Sequence, residues 1–416
     1  MKFLFSFIAV LCLAQLSSAQ DSTQIIPGAY RMNVYVPLLK GKRIGVFANQ
    51  TSVVGKTNLI DTLLKQGVNI TKIFSPEHGF RGNADAGAKT DSYIDSATHI
   101  PVVSLYGKKY KATAEDFTDV DILVFDIQDV GVRFYTYISS LQYFVEAACE
   151  NSKPLMILDR PNPNGFYVDG PVLDTNYKSF VGMQPVPVVY GMTIGEYAMM
   201  IAGEDWLSTE TANKKYDWYK TQAQNSVDTP FHFLVIKCLN YDHTSKYQLP
   251  VKPSPNLPDM NSVYWYPSTC FFEGTNLSEG RGTDKPFEIF GAPSLPKNMY
   301  AFTPVSKAGA TSPKYVNQTC YGWNVSDSLS PAKDGKIHLQ YLVEAYKLFP
   351  DKDSFFIKPK SGKATDYFFN KLAGSGTLMQ QLKDGKTEDE IRASWQPALE
   401  AFKKIRKKYL LYKDFE

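Results

Sequence analysis

Short apolar runs punctuate the first half of the chain: RIGVFA (43–48), ITKIFS (70–75), PVVSL (101–105), DILVFD (121–126) and PLMILD (154–159). Between them lie stretches with helical patterning, such as NLIDTLLKQG (58–67) and YISSLQYFVEAACEN (137–151). Strands that alternate with helices predict a parallel sheet covered by helices on both faces. Near-continuous apolarity within each strand is what burial on both faces requires. Right-handed crossovers bring every strand's carboxyl end to one edge, where open α/β sheets bind ligands.

The loops at that edge hold the unusual residues. They are NQTS (49–52), PEHGFRG (76–82), IQDVGVRFYTY (127–137) and RPNPNG (160–165). Glu77, His78, Arg81, Asp126, Gln128, Asp129, Arg133, Asp159, Arg160 and Asn162 are therefore expected to converge on one cleft.

The alternation breaks down after YGMTIGEYAMMIAGEDWL (190–207), a helix expected to begin near Thr193. One more strand pattern, FHFLVIKCL (231–239), leads into the proline-rich LPVKPSPNLPDM (249–260) and the loop FFEGTNLSEGRGTDKPFE (271–288). Near the C-terminus Ile391, Trp395, Leu399, Phe402, Ile405 and Tyr409 recur at helical spacing, with Pro397 marking a break or a second helix start. The basic run KKIRKKYLLYKD (403–414) reads as a solvated helix face. The expected fold class is α/β: a Rossmann-like parallel-sheet domain over 20–192, then a smaller α+β domain over 193–416.

Residues 1–19 stand apart. Lys2, an apolar stretch over Phe3–Ala14, and the small residues Ser17 and Ala19 before Gln20 form a secretory signal pattern cut after Ala19. Cys12 lacks the small residue that a lipoprotein cleavage site wants just ahead of its cysteine. An exported protein, periplasmic or secreted, without a membrane span is expected.

Composition narrows the classes further. The chain is 44% hydrophobic and 21% charged, with a net charge of +3 that gives no field for nucleic acid. Cys149, Cys238, Cys270 and Cys320 have no dense disulfide spacing and form no CxxC, leaving free thiols or bridges open. VVGKT (53–57) lacks the phosphate-loop glycine, because Gln50 occupies its place. No GxGxxG, GxSxG or HExxH occurs, and the five histidines lack ligand spacing. No cofactor or metal is expected.

In PEHGFRG, Glu77 is a candidate general acid/base, with His78 and Arg81 to orient it or to grip an anion. The competing reading makes Glu77 a cap or an ion-pair partner of Arg81. Gln128, Arg133 and Tyr135 suit hydroxyl or acetamido recognition, although an Asp129–Arg133 staple would serve the loop alone. Asn162 reads equally as a turn former. The loop FEGTNLSEGRGT adds Glu273, Asn276, Glu279, Arg281 and Thr283. Its three glycines suggest a lid.

Six ordered motifs carry a resemblance: SPEHGFRG (75–82), FDIQDVGVRFYTY (125–137), LDRPNPNG (158–165), YGMTIGE (190–196), SPNLP (254–258) and FEGTNLSEGRGT (272–283). Over most of the mature chain they resemble the DUF1343/YbbC-like family, which includes the exo-β-N-acetylmuramidases of glycoside hydrolase family 171. The resemblance implies a cleft between the two domains, with Glu77 as leading acid/base. It also implies release of N-acetylmuramic acid from non-reducing ends of peptidoglycan-derived saccharides or muropeptides. SPNLP brings Asn256 into the expected site.

A lactyl carboxylate on the substrate calls for a fixed cation, and Arg81, Arg133 and Arg281 are the candidates. Glu273 or Glu279 would be the second carboxylate, with Asp126, Asp159 and the substrate's own acetamido group as rivals. A muropeptide-binding protein with the same cleft and no catalysis is the alternative from another class. A metal-dependent hydrolase is a third.

Overall fold

The structure, a computed structural model, describes residues 24–82, 87, 91–225, 233–327 and 330–416. The expected signal peptide lies outside the described residues. Strand β1 (Arg43–Ala48) passes through a short hairpin, β2 (Val53–Val54) and β3 (Thr57–Asn58), to β4 (Asn69–Ser75). Then come β5 (Tyr93–Ile94), β6 (Pro101–Ser104), β7 (Ile122–Asp126), β8 (Leu155–Leu158) and β9 (Phe233–Ile236). Seven of these form one sheet in the order β5-β6-β4-β1-β7-β8-β9, parallel except for β5. Without its antiparallel edge this is the doubly wound order, which reverses direction at β1.

Side-chain alternation explains why the strands are apolar throughout. Ile44, Val46 and Ala48 of β1, Val124 of β7 and Met156 of β8 face one side, against helices Met32–Leu39 and Leu59–Lys65. Phe47, Phe125 and Ile157 face the other, where Phe47 stacks on Phe125 at 4.9 Å and meets Phe144 of helix Tyr137–Glu150 edge-on. This second core continues without interruption into the C-terminal part, through Trp265, Phe272, Phe290 and Phe369.

The expected division at 192/193 does not coincide with the end of the sheet. Strand β9 pairs with β8, and helix Ile194–Gly203 packs within the same core after a capping box of Thr193 and Glu196. The crossover from β8 to β9 holds two helices, Ile194–Gly203 and Glu210–Asn225, instead of one. That longer spacing is why the strand pattern at 231–239 read as standing outside the alternation.

The C-terminal part holds an antiparallel sheet of β10 (Ile289–Ala292), β11 (Tyr300–Phe302) and β12 (Cys320–Asn324), in the order β10-β12-β11. Helix Glu388–Arg406 buries Ile391, Trp395, Leu399 and Phe402 and runs through Pro397 without a break. Pro397 and Ala393, whose carbonyl loses its helical donor, both lie on the exposed face, where a missing helical bond costs least. Arg406 departs from the solvated basic face: it is fully buried, bonds the Gly191 carbonyl and pairs with Asp414 at 2.8 Å. The four described cysteines are free and buried. Among the described residues no helix is long and apolar enough to cross a membrane.

Candidate active site

A cavity of about 600 Å³ opens at the carboxyl edge of the sheet, under the C-terminal part. The loop after β4 contributes Glu77 and His78, the loop after β6 Tyr106 and Tyr110, and the loop after β7 Tyr135, Thr136 and Tyr137. From the C-terminal part come Glu273, Glu279, Arg281 and Lys314.

Among the described residues Glu77 is held by neutral donors. Its Oε1 accepts from the Gly87 N–H at 2.7 Å and its Oε2 from the Thr136 hydroxyl at 2.8 Å. The Tyr106 hydroxyl bonds the same carboxylate, and burial, followed by the charge of Glu77, pushes that phenol well above its usual range. His78 sits in the left-handed region at φ 69°, a conformation that costs a non-glycine residue ~1–2 kcal/mol. It places His78 in the cavity lining, with Nε2 3.5 Å from the Ser254 hydroxyl. Strain of this kind persists where surrounding structure holds it. Gly82, at φ +73°, lies where an added Cβ would be 2.5 Å from the Gln50 side chain. Gln50 in turn donates to the Pro253 carbonyl at 3.1 Å, which also accepts from Tyr135 at 2.7 Å. The SPNLP segment is thereby tied to the sheet edge, and the Tyr135 hydroxyl is committed to backbone.

The facing wall is ionic. Arg281 donates through Nη2 to Glu273 at 2.6 Å, and its Nε lies 3.4 Å from Glu279. Burial opposes the guanidinium charge, but Glu273 and Glu279 outweigh it and hold Arg281 more basic than usual. Its Nη1 has no hydrogen-bond partner among the described residues. Lys314 pairs with Glu279 at 3.1 Å and donates to the carbonyls of Phe272, Glu273, Thr275 and Leu277 at 2.8–3.1 Å. Two carboxylates and two cations leave this wall neutral. The loop expected to act as a lid is packed down in this structure, with Thr275, Leu277 and Ser278 buried.

Six of the expected site residues line the cavity: Glu77, His78, Tyr135, Glu273, Glu279 and Arg281. The others are engaged in holding the fold. Arg81 pairs with Asp95 at 2.7 Å. Asp126 and Arg160 form a buried bidentate pair behind the edge, at 2.6 and 2.8 Å. Gln128 donates to the carbonyls of Asp129 and Pro161, and Asn162 to that of Met192. Asp129 accepts from Tyr190 and Gly131, and burial pushes its carboxyl up to about 6.

Arg133 is not stapled to Asp129. It donates to the carbonyls of Pro171, Val186 and Leu372, each at 2.7 Å, and so joins the sheet domain to the C-terminal part. With no carboxylate paired to it among the described residues, burial lowers its pKa to about 9. Gly374 sits where a Cβ would be 2.8 Å from that guanidinium. Asp159 accepts from Thr193, Gly195 and Tyr412, the last on a C-terminal tail that sequence reading left unconnected; burial raises its carboxyl to about 6. Asn256, Asn276 and Thr283 donate to the carbonyls of Gly309, Ser354 and Gly280.

Sequence reading passed over Thr136, Tyr106 and Lys314. Thr136 stood inside the FYTY motif, between two tyrosines that drew the attention. Lys314 has no sequence signal, because its partners are mostly backbone carbonyls.

Sheet order and cavity together define a two-domain α/β protein with a neutral-donor carboxylate and an arginine wall in one cleft. Residues 44–261 match the family described as Exo-beta-N-acetylmuramidase NamZ, N-terminal, and residues 264–412 its C-terminal counterpart. The chain belongs to this NamZ family. It is 39% identical over 397 residues to peptidoglycan beta-N-acetylmuramidase NamZ of Bacillus subtilis (strain 168), covering 91% of this chain and 89% of that one. Two crystal structures of DUF1343 family proteins from Bacteroides fragilis NCTC 9343 share the fold. One has a TM-score of 0.81 at 43% identity, covering 94% of this chain and 99% of that one. The other has a TM-score of 0.73 at 28% identity, covering 94% and 100%. The two family halves meet within helix Met260–Thr269, after the last strand of the large sheet.

Proposed function

We propose that the chain is an exo-acting β-N-acetylmuramidase, a glycoside hydrolase that releases N-acetylmuramic acid from non-reducing ends of peptidoglycan fragments. The observation that carries this reading is the shared cavity of Glu77 and Arg281, within a chain of the NamZ family. Glu77 acts as general acid/base. The Gly87 N–H can only donate, so Oε1 stays an acceptor and the transferable proton belongs on Oε2. The Thr136 and Tyr106 hydroxyls are rotors that follow the change of charge. Arg281 is the cation assigned to the lactyl carboxylate: its Nη1 is buried and unpartnered among the described residues, while Glu273 and Glu279 hold the guanidinium in place. Lys2, the apolar stretch and Ala19 fit a cleaved export signal, which supports this reading because an exported protein, periplasmic or secreted, would meet such a substrate.

The test is hydrolysis of a chromogenic β-N-acetylmuramide beside the matching N-acetylglucosaminide. Release from the muramide alone is the expected result. Cleavage of neither sugar, with the cavity still binding muramyl saccharides, would instead favour a binding protein.

The anion site has its own test. Arg281→Lys keeps a charge near Glu273 but loses the planar guanidinium and its unpartnered Nη1. The wild type should bind N-acetylmuramic acid better than its lactyl amide, and the variant should lose ~10–100-fold of that preference, the scale of a charged hydrogen bond. Competitive inhibition constants measure it. An undiminished preference would assign the carboxylate to another group.

A further inference from the structure

Part of the cavity wall is aromatic, and the reading above leaves it unused. Tyr106 and Tyr110 meet edge-on at 5.6 Å between ring centroids. Phe180 lies 4.5 Å from Tyr110 and 5.7 Å from Tyr106, and all three rings line the cavity. Tyr143 stacks near parallel to Phe180 at 6.3 Å, a backing for the cluster from helix Tyr137–Glu150. Tyr110 is 37% exposed. Solvated ring faces in a charged cavity gain free energy when an apolar surface covers them.

The position of the cluster says which part of a substrate would cover it. On the muramidase reading, on which this inference rests, Glu77 protonates the glycosidic oxygen. The leaving sugar is bonded to that oxygen and must lie beside Glu77. Tyr106 is hydrogen-bonded to Glu77 and in ring contact with both Tyr110 and Phe180, so the aromatic wall begins at the acid. On the same reading the muramyl sugar lies toward the wall from the C-terminal part, because its carboxylate belongs to Arg281, whereas Tyr106, Tyr110 and Phe180 come from the sheet domain. A hexosamine has an apolar C–H face bounded by equatorial hydroxyls. Laid against a ring, it covers apolar surface without stranding a polar group.

We propose that Tyr110 and Phe180 form the binding site of the leaving hexosamine and set the preference for a leaving sugar over a small leaving group. Tyr106 serves both sites: its hydroxyl positions Glu77 and its ring extends the platform.

The experiment compares two substrates that differ only in what leaves. One is the disaccharide of N-acetylmuramic acid β-1,4-linked to N-acetylglucosamine. The other is β-N-acetylmuramyl fluoride, whose leaving group is too small to reach the rings. Tyr110→Leu and Phe180→Leu keep apolar bulk and remove the flat face. Each should lower kcat/KM for the disaccharide by several-fold to about tenfold, the range of aromatic contacts, and lower it clearly less for the fluoride. Equal losses on both substrates, or no loss on the disaccharide, would overturn the assignment.

A measurement on the wild type guards against variants that fold poorly. With N-acetylmuramic acid present, saturation of the aromatic protons should transfer to one face of added N-acetylglucosamine. Absence of transfer counts against the site as well. Failure of the wild type to release N-acetylmuramic acid from either substrate is a different outcome. It would remove the muramidase reading itself, and this assignment with it.

Discussion

Glu77→Gln should fold like the wild type and lose about 10²–10⁴ of kcat, the scale of general acid–base catalysis. The fold should tolerate the change because the donors around the carboxylate fix how the amide sits. The Gly87 N–H can only donate, so the amide oxygen takes the place of Oε1 and the NH₂ group faces Thr136. A hydroxyl can turn from donor to acceptor, so no buried group is stranded. What disappears is the proton that Oε2 would pass to the glycosidic oxygen. Turnover of a chromogenic β-N-acetylmuramide and the thermal midpoint, taken together, check this. Near-normal turnover would remove Glu77 from the acid role and return attention to Glu273 and Glu279. A drop in the midpoint alone would mean that Glu77 chiefly supports the loops around it.

The sheet was legible in the sequence because burial on two faces forces apolar runs such as RIGVFA and ILVFD, which little else produces. The position of the cleft was legible for a topological reason, since parallel strands bring their following loops to one edge. Which loop residues would reach the cleft was not. A loop at a sheet edge has one side toward the ligand and another turned back over the strand ends, where backbone carbonyls need donors. Arg133, Gln128 and Asn162 fill that second role. Their polar types look the same in sequence as those of ligand-binding groups. Lys314 was hidden for the converse reason: its acceptors are chiefly main-chain oxygens, which side-chain patterns do not reveal. The C-terminal tail was hidden by distance, since Tyr412 reaches Asp159 across 253 positions.

The largest stability effect is expected at Asp126, whose partner is as deeply buried as itself. The Arg160 side chain is 1% exposed and that of Asp126 0%, and Arg160 also donates to the Val53 carbonyl at 3.0 Å. Burial penalises the guanidinium, and Asp126 more than offsets this, holding Arg160 above its usual basicity. Asp126→Ala would leave that charge buried with a carbonyl in place of a carboxylate. Breaking one side of a buried pair costs about 3–5 kcal/mol, readable as a lowered urea midpoint at unchanged slope. Replacing both partners by apolar residues, as in D126L/R160M, should restore most of the loss, because no unpaired charge remains. Activity of that double variant separates the two roles Asp126 has been given. A structural pair predicts a folded double variant with turnover near wild type, since neither residue is among those that line the cavity. A second catalytic carboxylate at Asp126 predicts a folded double variant that has lost turnover by orders of magnitude. A loss below about 1 kcal/mol in Asp126→Ala would rule out the ion pair as a support of the sheet edge, since exposed pairs contribute no more than that.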